Sequence, residues 1–320
     1  MSFEFPSTLR EVVGAWLAAN APTNLRDQTQ RLRHSYAAGQ SSGAVDIAAY
    51  VSTRMPATFA AVSFVMHEVA KIEGDFSPTT MLDVGAGPGT ASFAAQLAWP
   101  SLKQFDMVEQ DARFAAIAED FANALLPQFA VQRQALMETK RAADLVVAAY
   151  VLAELPVEQA RKAALHLWAQ TAHTLIVVEP GTPQGFARVR ACRAALLSAG
   201  ANIIGPCTHA GSCPVVGTDW CHFKTRLPRS RAHLQAKGAS VPFEDEALSW
   251  LAVSRFPAAL PKARIVGPPS TNKVAVTMRV CDEHGLDDES FASRHKATYK
   301  AAKKLKWGEA LQMTKAKQDV

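Results

Sequence analysis

The stretch "MLDVGAGPGTASFAA", residues 81–95, decides how the chain is read. Met81–Val84 form a short, mostly apolar run. Gly85, Gly87 and Gly89 follow at alternate positions, and a small-residue segment of helical character begins at Thr90. Glycines between a buried strand and a helix let the backbone turn sharply and approach a ligand at the strand's carboxyl end. An ordinary strand–helix turn seldom needs three of them. The next apolar run, "QFDMVEQ", closes on Glu109, twenty residues beyond Gly89. A carboxylate there is placed to bond the two hydroxyls of a ribose.

The same rhythm continues outward. "ARFAAIAEDFANAL", "VEQARKAALHLWAQT" and "GFARVRACRAALLSAG" read as helices. "FAVQRQAL" (weakly), "ADLVVAAYV" and "HTLIVVEPG" read as strands, with two more around "ALSWLAVSRF" and "NKVAVTMRVC". Strands alternating with helices of this length predict βαβ units on a parallel sheet. Upstream, residues 7–75 read as helices. Thr8 to Glu11 has capping-box spacing. "DIAAYVSTRMPATFAAVSFVMHEVAK" carries an apolar pattern of helical period interrupted at Pro56, where a break or kink is expected.

The glycine spacing G-x-G-x-G differs from the dinucleotide fingerprint G-x-G-x-x-G. Preceded by Asp83, it resembles motif I of the class I methyltransferases that bind S-adenosylmethionine (SAM). The resemblance implies that Gly85, Gly87 and Gly89 wrap the methionine part. It also implies that Asp83 fixes the loop or the amino group, and that Glu109 holds the ribose. Tyr150 and Glu154, at the end of "DLVVAAYVLAEL", fall at the same edge of the sheet, as do Glu179 and Gly181 in "VEPGTPQGF". Tyr150 and Glu154 either position a methyl acceptor or, for Glu154, begin the next helix, where an acid suits the dipole. The N/D-P-P-Y motif of amino-group methyltransferases is absent, and the sequence assigns no catalytic residue.

Composition sets the wider bounds. A chain of 320 residues that is 48% hydrophobic can bury a large core. Its longest apolar run, "LVVAAYVLA", lies between Asp144 and Glu154 and is too short to span a bilayer, so no membrane role is expected. The N-terminus carries Glu4 and Glu11 and no basic segment, which argues against a secretory signal or a transit peptide. A cytoplasmic protein is expected. The net charge of +5 is uneven. Residues 1–160 hold eleven Lys and Arg against seventeen Asp and Glu, while residues 161–320 hold twenty-three against twelve. A basic second half is what a polyanionic partner such as RNA would meet, although a solvated lysine-rich tail would look the same.

Three of the five cysteines, Cys207, Cys213 and Cys221, stand in "GPCTHAGSCPVVGTDWCHFKTR", spaced C-x5-C-x7-C. In a reducing compartment such clustering points to metal or catalysis before disulfides. Zinc modules favour tighter C-x2-C or C-x4-C pairs. The wider spacing suits a larger object such as an iron–sulfur cluster. Cys281, at the end of the last predicted strand, is the candidate fourth ligand. Cys192, on an apolar helix face, reads as a small buried hydrophobe. His209 or His222 would complete a zinc site instead.

"PCTHAGSCPVVGTDWCHFKTRLPRSR" resembles the cysteine signature of the ribosomal small-subunit-associated methyltransferase-like family, whose best-known members are mitochondrial. "RMPATFAAV", "VEPGTPQGF", "FEDEALSWLAVSR" and "YKAAKKLKWGE" extend the resemblance over most of the chain from about residue 50. It implies a class I SAM-dependent methyltransferase (Rossmann-like) α/β fold with N-terminal helices and a cysteine-rich metal-binding insertion between the fifth and sixth strands. It further implies a [4Fe–4S] cluster on Cys207, Cys213, Cys221 and Cys281, with zinc as the alternative. The partner would be small-subunit rRNA or ribosomal proteins, met by a monomer during assembly. The expected division is a helical segment 1–75, a SAM-binding core 76–202 and a cysteine-rich insertion 203–240. The last core strands would then occupy 241–285 and a basic tail 286–320. Lys224, Arg226, Arg229 and Arg231, with Lys300, Lys303, Lys304 and Lys306, would meet RNA phosphate. Three functions stay open: a methyltransferase of the small subunit, a non-catalytic rRNA-binding assembly factor, and a zinc-bearing methyltransferase on an unrelated substrate.

Overall fold

A computed structural model of the chain describes residues 3–37, 45–229, 231–238 and 240–311. Helices come first: α1 (Ser7–Asn20), α2 (Leu25–Ala37), the short α3 (Ile47–Ala49) and α4 (Met55–Ile72). The capping box expected at Thr8 does not form, because α1 already begins at Ser7 behind Pro6. Between α3 and α4 the backbone widens into a π-helical turn, Tyr50–Arg54. Pro56 falls in the first turn of α4, where a missing N–H costs nothing. The expected interruption is therefore a change from π to α winding, a feature that often marks functional sites.

The strand–helix rhythm follows as predicted. It runs β1 (Thr80–Val84), α5 (Thr90–Ala98), β2 (Gln104–Val108), α6 (Ala112–Leu125), β3 (Phe129–Gln132) and β4 (Ala143–Ala149). It continues through α7 (Val157–Ala169), β5 (Thr171–Pro180), α8 (Pro183–Ser198) and β6 (Asn202–Gly205). After an irregular stretch come β7 (Phe223–Pro228), α9 (Arg231–Lys237) and β8 (Phe243–Ser254). The main sheet runs β3-β2-β1-β4-β5-β8-β6. β1 to β5 are parallel, and β8 runs antiparallel to both β5 and β6. Its strands are apolar on both faces because helices cover both. Met81 faces the core shared with α4, α5 and α6, whereas Leu82 and Val84 face that of α7 and α8.

Three expectations are corrected. The cysteine stretch lies after β6, not between the fifth and sixth strands, and its three cysteines fall in the irregular run 206–222. Phe223–Pro228 belongs to the main sheet as the partner of β8. Its alternation, with Phe223, Thr225 and Leu227 buried and Lys224 and Arg226 exposed, is the period of a strand. The strand containing Cys281 is not part of the core sheet. β9 (Ala263–Ile265), β10 (Ser270–Thr271), β11 (Ala275–Asp282), β12 (Gly285–Ala292) and β13 (Ala310–Leu311) form a second, five-stranded sheet. α10 (Lys296–Ala302) packs on it, with its own small core around Ile265, Met278 and Phe291. Of the expected basic tail 286–320, the first part lies in β12, α10 and β13 follow up to Leu311, and residues 312–320 lie outside the described residues.

Candidate functional site

Strand order reverses between β1 and β4, which opens a crevice at their carboxyl ends. The glycine loop fills one side of it. Gly85, Gly87 and Gly89 all have left-handed backbones, at φ of 69°, 54° and 81°. A Cβ at Gly85 would collide with the Val151 side chain that follows β4. At Gly87 the nearest protein atom to such a Cβ is Tyr50 Oη, 3.8 Å away, so the space beside it belongs to the crevice. Gly87 N–H donates to Glu109 Oε2 at 2.9 Å, and Asp111 N–H donates to Glu109 Oε1 at 2.8 Å. The acid at the end of β2 is thereby fixed against the loop. Asp83 is 1% exposed. Its Oδ2 accepts from Ser92 N–H at 3.0 Å and Ser92 Oγ at 2.8 Å, so it ties the loop to α5. Burial pushes its carboxyl up to about 7. Of the two roles open to Asp83, the geometry gives fixing the loop.

At the end of β4, a residue that the sequence singled out meets partners that it did not. Tyr150 is the non-glycine residue with positive φ among the described residues, at 64°. Such a backbone costs about 1–3 kcal/mol and persists only where surroundings enforce it. Tyr150 Oη donates to Glu246 Oε1 of β8 at 3.3 Å, and Arg54 of the π turn donates to the same oxygen at 3.1 Å. Burial, followed by the Glu246 charge, pushes the Tyr150 phenol up. Glu154 does not open a helix; it ends a 3-10 turn three residues before α7. Its carboxyl is raised by burial and by Glu109. Glu179 is fully buried, accepts from Leu152 N–H at 3.1 Å and is pushed up to about 8 by burial. It supports the Tyr150–Glu154 turn from behind and does not reach the crevice edge.

Cys207, Cys213, Cys221 and Cys281 line one cavity between the irregular stretch, β8 and β11. Burial and then neighbouring thiols push Cys221 and Cys281 up, Cys281 to about 12, and burial likewise raises Cys207. His209 also lines the cavity, its Nε2 4.0 Å from Cys281 Sγ. His222 does not; it stacks on Trp220 and meets the edge of Trp307. Cys192 is apart on α8, fully buried, with Sγ against the Ala160 carbonyl at 3.5 Å. The thiols are gathered without being collapsed on one point. Among the described residues no three His, Cys, Asp or Glu side chains close up as the ligands of a single ion do. Trp220 Nε1–H donates to the Gly181 carbonyl at 3.0 Å, which joins the cysteine stretch to the crevice edge of β5.

The basic residues divide in two. Arg226 forms two bonds to Asp245, at 2.8 and 3.1 Å, and Arg229 pairs with Glu244 at 3.2 Å. Arg226 of β7 and Arg229 just beyond it are matched by acids of β8, since antiparallel pairing sets the two segments side by side. That corrects the expectation that they present free charge to phosphate. The Arg231 side chain lies outside the described residues. Lys224, Lys300, Lys303, Lys304 and Lys306 are exposed, and Lys224 Nζ stands 5.5 Å from the centre of the Trp307 ring. No helix among the described residues is long and apolar enough to cross a membrane.

A seven-strand order with one reversed strand next to the edge, and a glycine loop answered by an acid on the neighbouring strand, define the class I SAM-dependent methyltransferase fold. The chain belongs to the Rsm22 family: the family model described as "Mitochondrial small ribosomal subunit Rsm22" matches residues 44–312. It is 29% identical over 192 residues to the human "Ribosome assembly protein METTL17, mitochondrial", covering 54% of this chain and 42% of that protein. It is 24% identical over 320 residues to the Schizosaccharomyces pombe "Rsm22-cox11 tandem protein 2, mitochondrial", covering 82% of this chain and 42% of the other. The chain thus spans less than half the length of these curated relatives. Among solved structures it is similar to magnesium protoporphyrin IX methyltransferase from Synechocystis PCC 6803 with bound SAM. The TM-score is 0.44 at 17% identity, over 74% of this chain and 100% of that one. The ribosomal protein L11 methylase from Lactobacillus delbrueckii subsp. bulgaricus gives 0.35 at 16%, over 59% and 76%. At such scores the fold rests on the strand order, not on these neighbours. The cytoplasmic expectation is corrected by the relatives, which are mitochondrial.

Proposed function

We propose that the protein is a SAM-binding, methyltransferase-like factor that works with the small ribosomal subunit during assembly and carries a thiolate-bound [4Fe–4S] cluster. The observation that carries the SAM reading is the Gly87–Glu109 contact at the topological switch point. It sets the Glu109 carboxylate beside a backbone with open space at Gly87, which supports a role for this acid on the ribose. Gly85, Gly87 and Gly89 would line the methionine part, and Asp83 holds the loop in register from behind. Tyr150, strained and tied to Glu246 beside Arg54 at the end of β4, would position an acceptor.

The donor set supports a cluster. Four soft thiols from a loop and a separate strand line one cavity. Cys207, Cys213, Cys221 and Cys281 would hold it, and its chemistry would be structural or electron-storing. The assembly role follows from the family and from the human relative's printed description. It is supported by the exposed lysines of α10 and the turn that follows it. Calorimetry with SAM tests the first part. The wild type should bind one equivalent, and Glu109→Gln, which keeps shape but loses the anionic grip on the ribose, should bind at least about tenfold more weakly. Equal affinity would remove Glu109 from the site.

A further inference from the structure

α8 turns Gly185, Phe186, Val189, Cys192 and Leu196 inward, and Arg193 stands in the same buried stripe. Arg193 is 6% exposed. Its Nε–H points at Cys207 Sγ, 3.3 Å away, and its Nη2 donates to the His209 carbonyl at 2.7 Å. Two other arginines near the cysteines have acids of their own: Arg264 pairs with Glu68 at 3.2 Å, and Arg279 with Asp219 at 2.7 Å. Among the described residues no carboxylate lies within 4.0 Å of the Arg193 guanidinium.

A guanidinium out of water is costly unless a negative charge answers it. A neutral thiol is a weak acceptor and a carbonyl carries no net charge, so neither compensates. A thiolate does, through a charge-assisted bond. We propose that Arg193 is the buried counter-ion of an anionic thiolate centre, acting through Cys207. The inference rests on the thiolate-centre reading given above and adds the sign of its charge. A divalent core on four thiolates is a dianion and calls for such a partner, whereas a two-cysteine, two-histidine zinc site is neutral and does not. Arg193 is thus a positioning residue for the centre.

The test compares wild type, Arg193→Met and Arg193→Lys, each reduced anaerobically and offered ferrous iron with sulfide or Zn²⁺ alone. Without metal, Arg193→Met should unfold at the same temperature as wild type or higher, because it removes an unanswered charge. With metal, it should surrender the centre to a chelator at least about tenfold faster. Any iron centre that it retains should have a more negative midpoint potential, since the lost cation favoured the more anionic reduced state. Arg193→Lys, which restores the charge, should recover most of both properties. Identical chelator loss and identical potential in Arg193→Met and wild type would overturn the proposal. So would equal destabilisation of Arg193→Met with and without metal, which would make Arg193 a strut for the His209 segment. A wild type that takes up neither metal would instead refute the thiolate centre itself, which separates the two failures.

Discussion

Replacing Gly87 with alanine separates a ligand-facing glycine from a merely conformational one. At φ of 54° an added methyl meets no protein atom closer than Tyr50 Oη at 3.8 Å. The folded protein therefore loses only the left-handed penalty of an L-residue, about 1–2 kcal/mol, or a few degrees in Tm. The methyl enters the crevice where the SAM backbone would lie and should weaken SAM binding by at least about tenfold. Gly200, in the turn after α8, supplies the control. Its φ is 81° and nothing lies within 4 Å of a Cβ there. Gly200→Ala should lose a similar amount of stability and bind SAM like wild type. Gly85→Ala should be worse than either in stability, because its Cβ collides with Val151. Thermal unfolding and calorimetry with SAM on the three variants check this together. A Gly87→Ala protein that keeps full SAM affinity would refute the placement of the ligand. One that unfolds like Gly85→Ala would refute the account of the loop.

Burial raises the Asp83 carboxyl from an ordinary 3.8 to about 7, so the folded state favours its protonated form. Its stabilising contribution is complete below about pH 4 and is lost as pH rises through about 7. Asp83→Asn should flatten that part of the stability profile, by an amount on the order of 4 kcal/mol, as followed by urea unfolding across pH. Cys281→Ser and Cys213→Ser should both lose iron per chain, whereas Cys192→Ser should keep it; the reverse pattern would displace Cys281 from the centre. Binding to a small-subunit rRNA fragment across a salt series should lose about one unit of slope for each phosphate contact removed at Lys303 and Lys304. Arg226→Ala should leave the slope unchanged, because Asp245 already answers that charge.

The glycine loop, the acid at Glu109 and the βαβ rhythm were legible because each has a local cause: positive φ, a strand end, a change of apolar period. Three of the candidate cysteine ligands stood out by their spacing and Cys281 by its place at a strand end, and the structure brings all four to one cavity. What the sequence concealed depends on distant pairing. β7 hid inside the cysteine-rich stretch because a six-residue alternation gains meaning only beside β8. The acids that answer Arg226 and Arg229 lie across that ladder, nineteen and fifteen residues away. Arg193 looked like one more basic residue in "RVRACRAALL", although its place in an otherwise inward apolar stripe was a readable signal. Arg54, Glu246 and Tyr150 meet only once the π turn and β8 are both in place. The second sheet was hidden because β12, "GLDDESFA", is too acidic to read as a strand, and β11, though read as one, joins a separate sheet only through that pairing.

The central claim, one chain holding SAM at Glu109 and a metal centre at four cysteines, is tested most directly by a crystal structure of anaerobically purified protein grown with SAM. The account predicts density for the ribose against Glu109 with the methionine part beside Gly87. It also predicts anomalous iron signal enclosed by Cys207, Cys213, Cys221 and Cys281, with Arg193 on Cys207. SAM bound elsewhere, or the four cysteines ordered without metal between them, would contradict it.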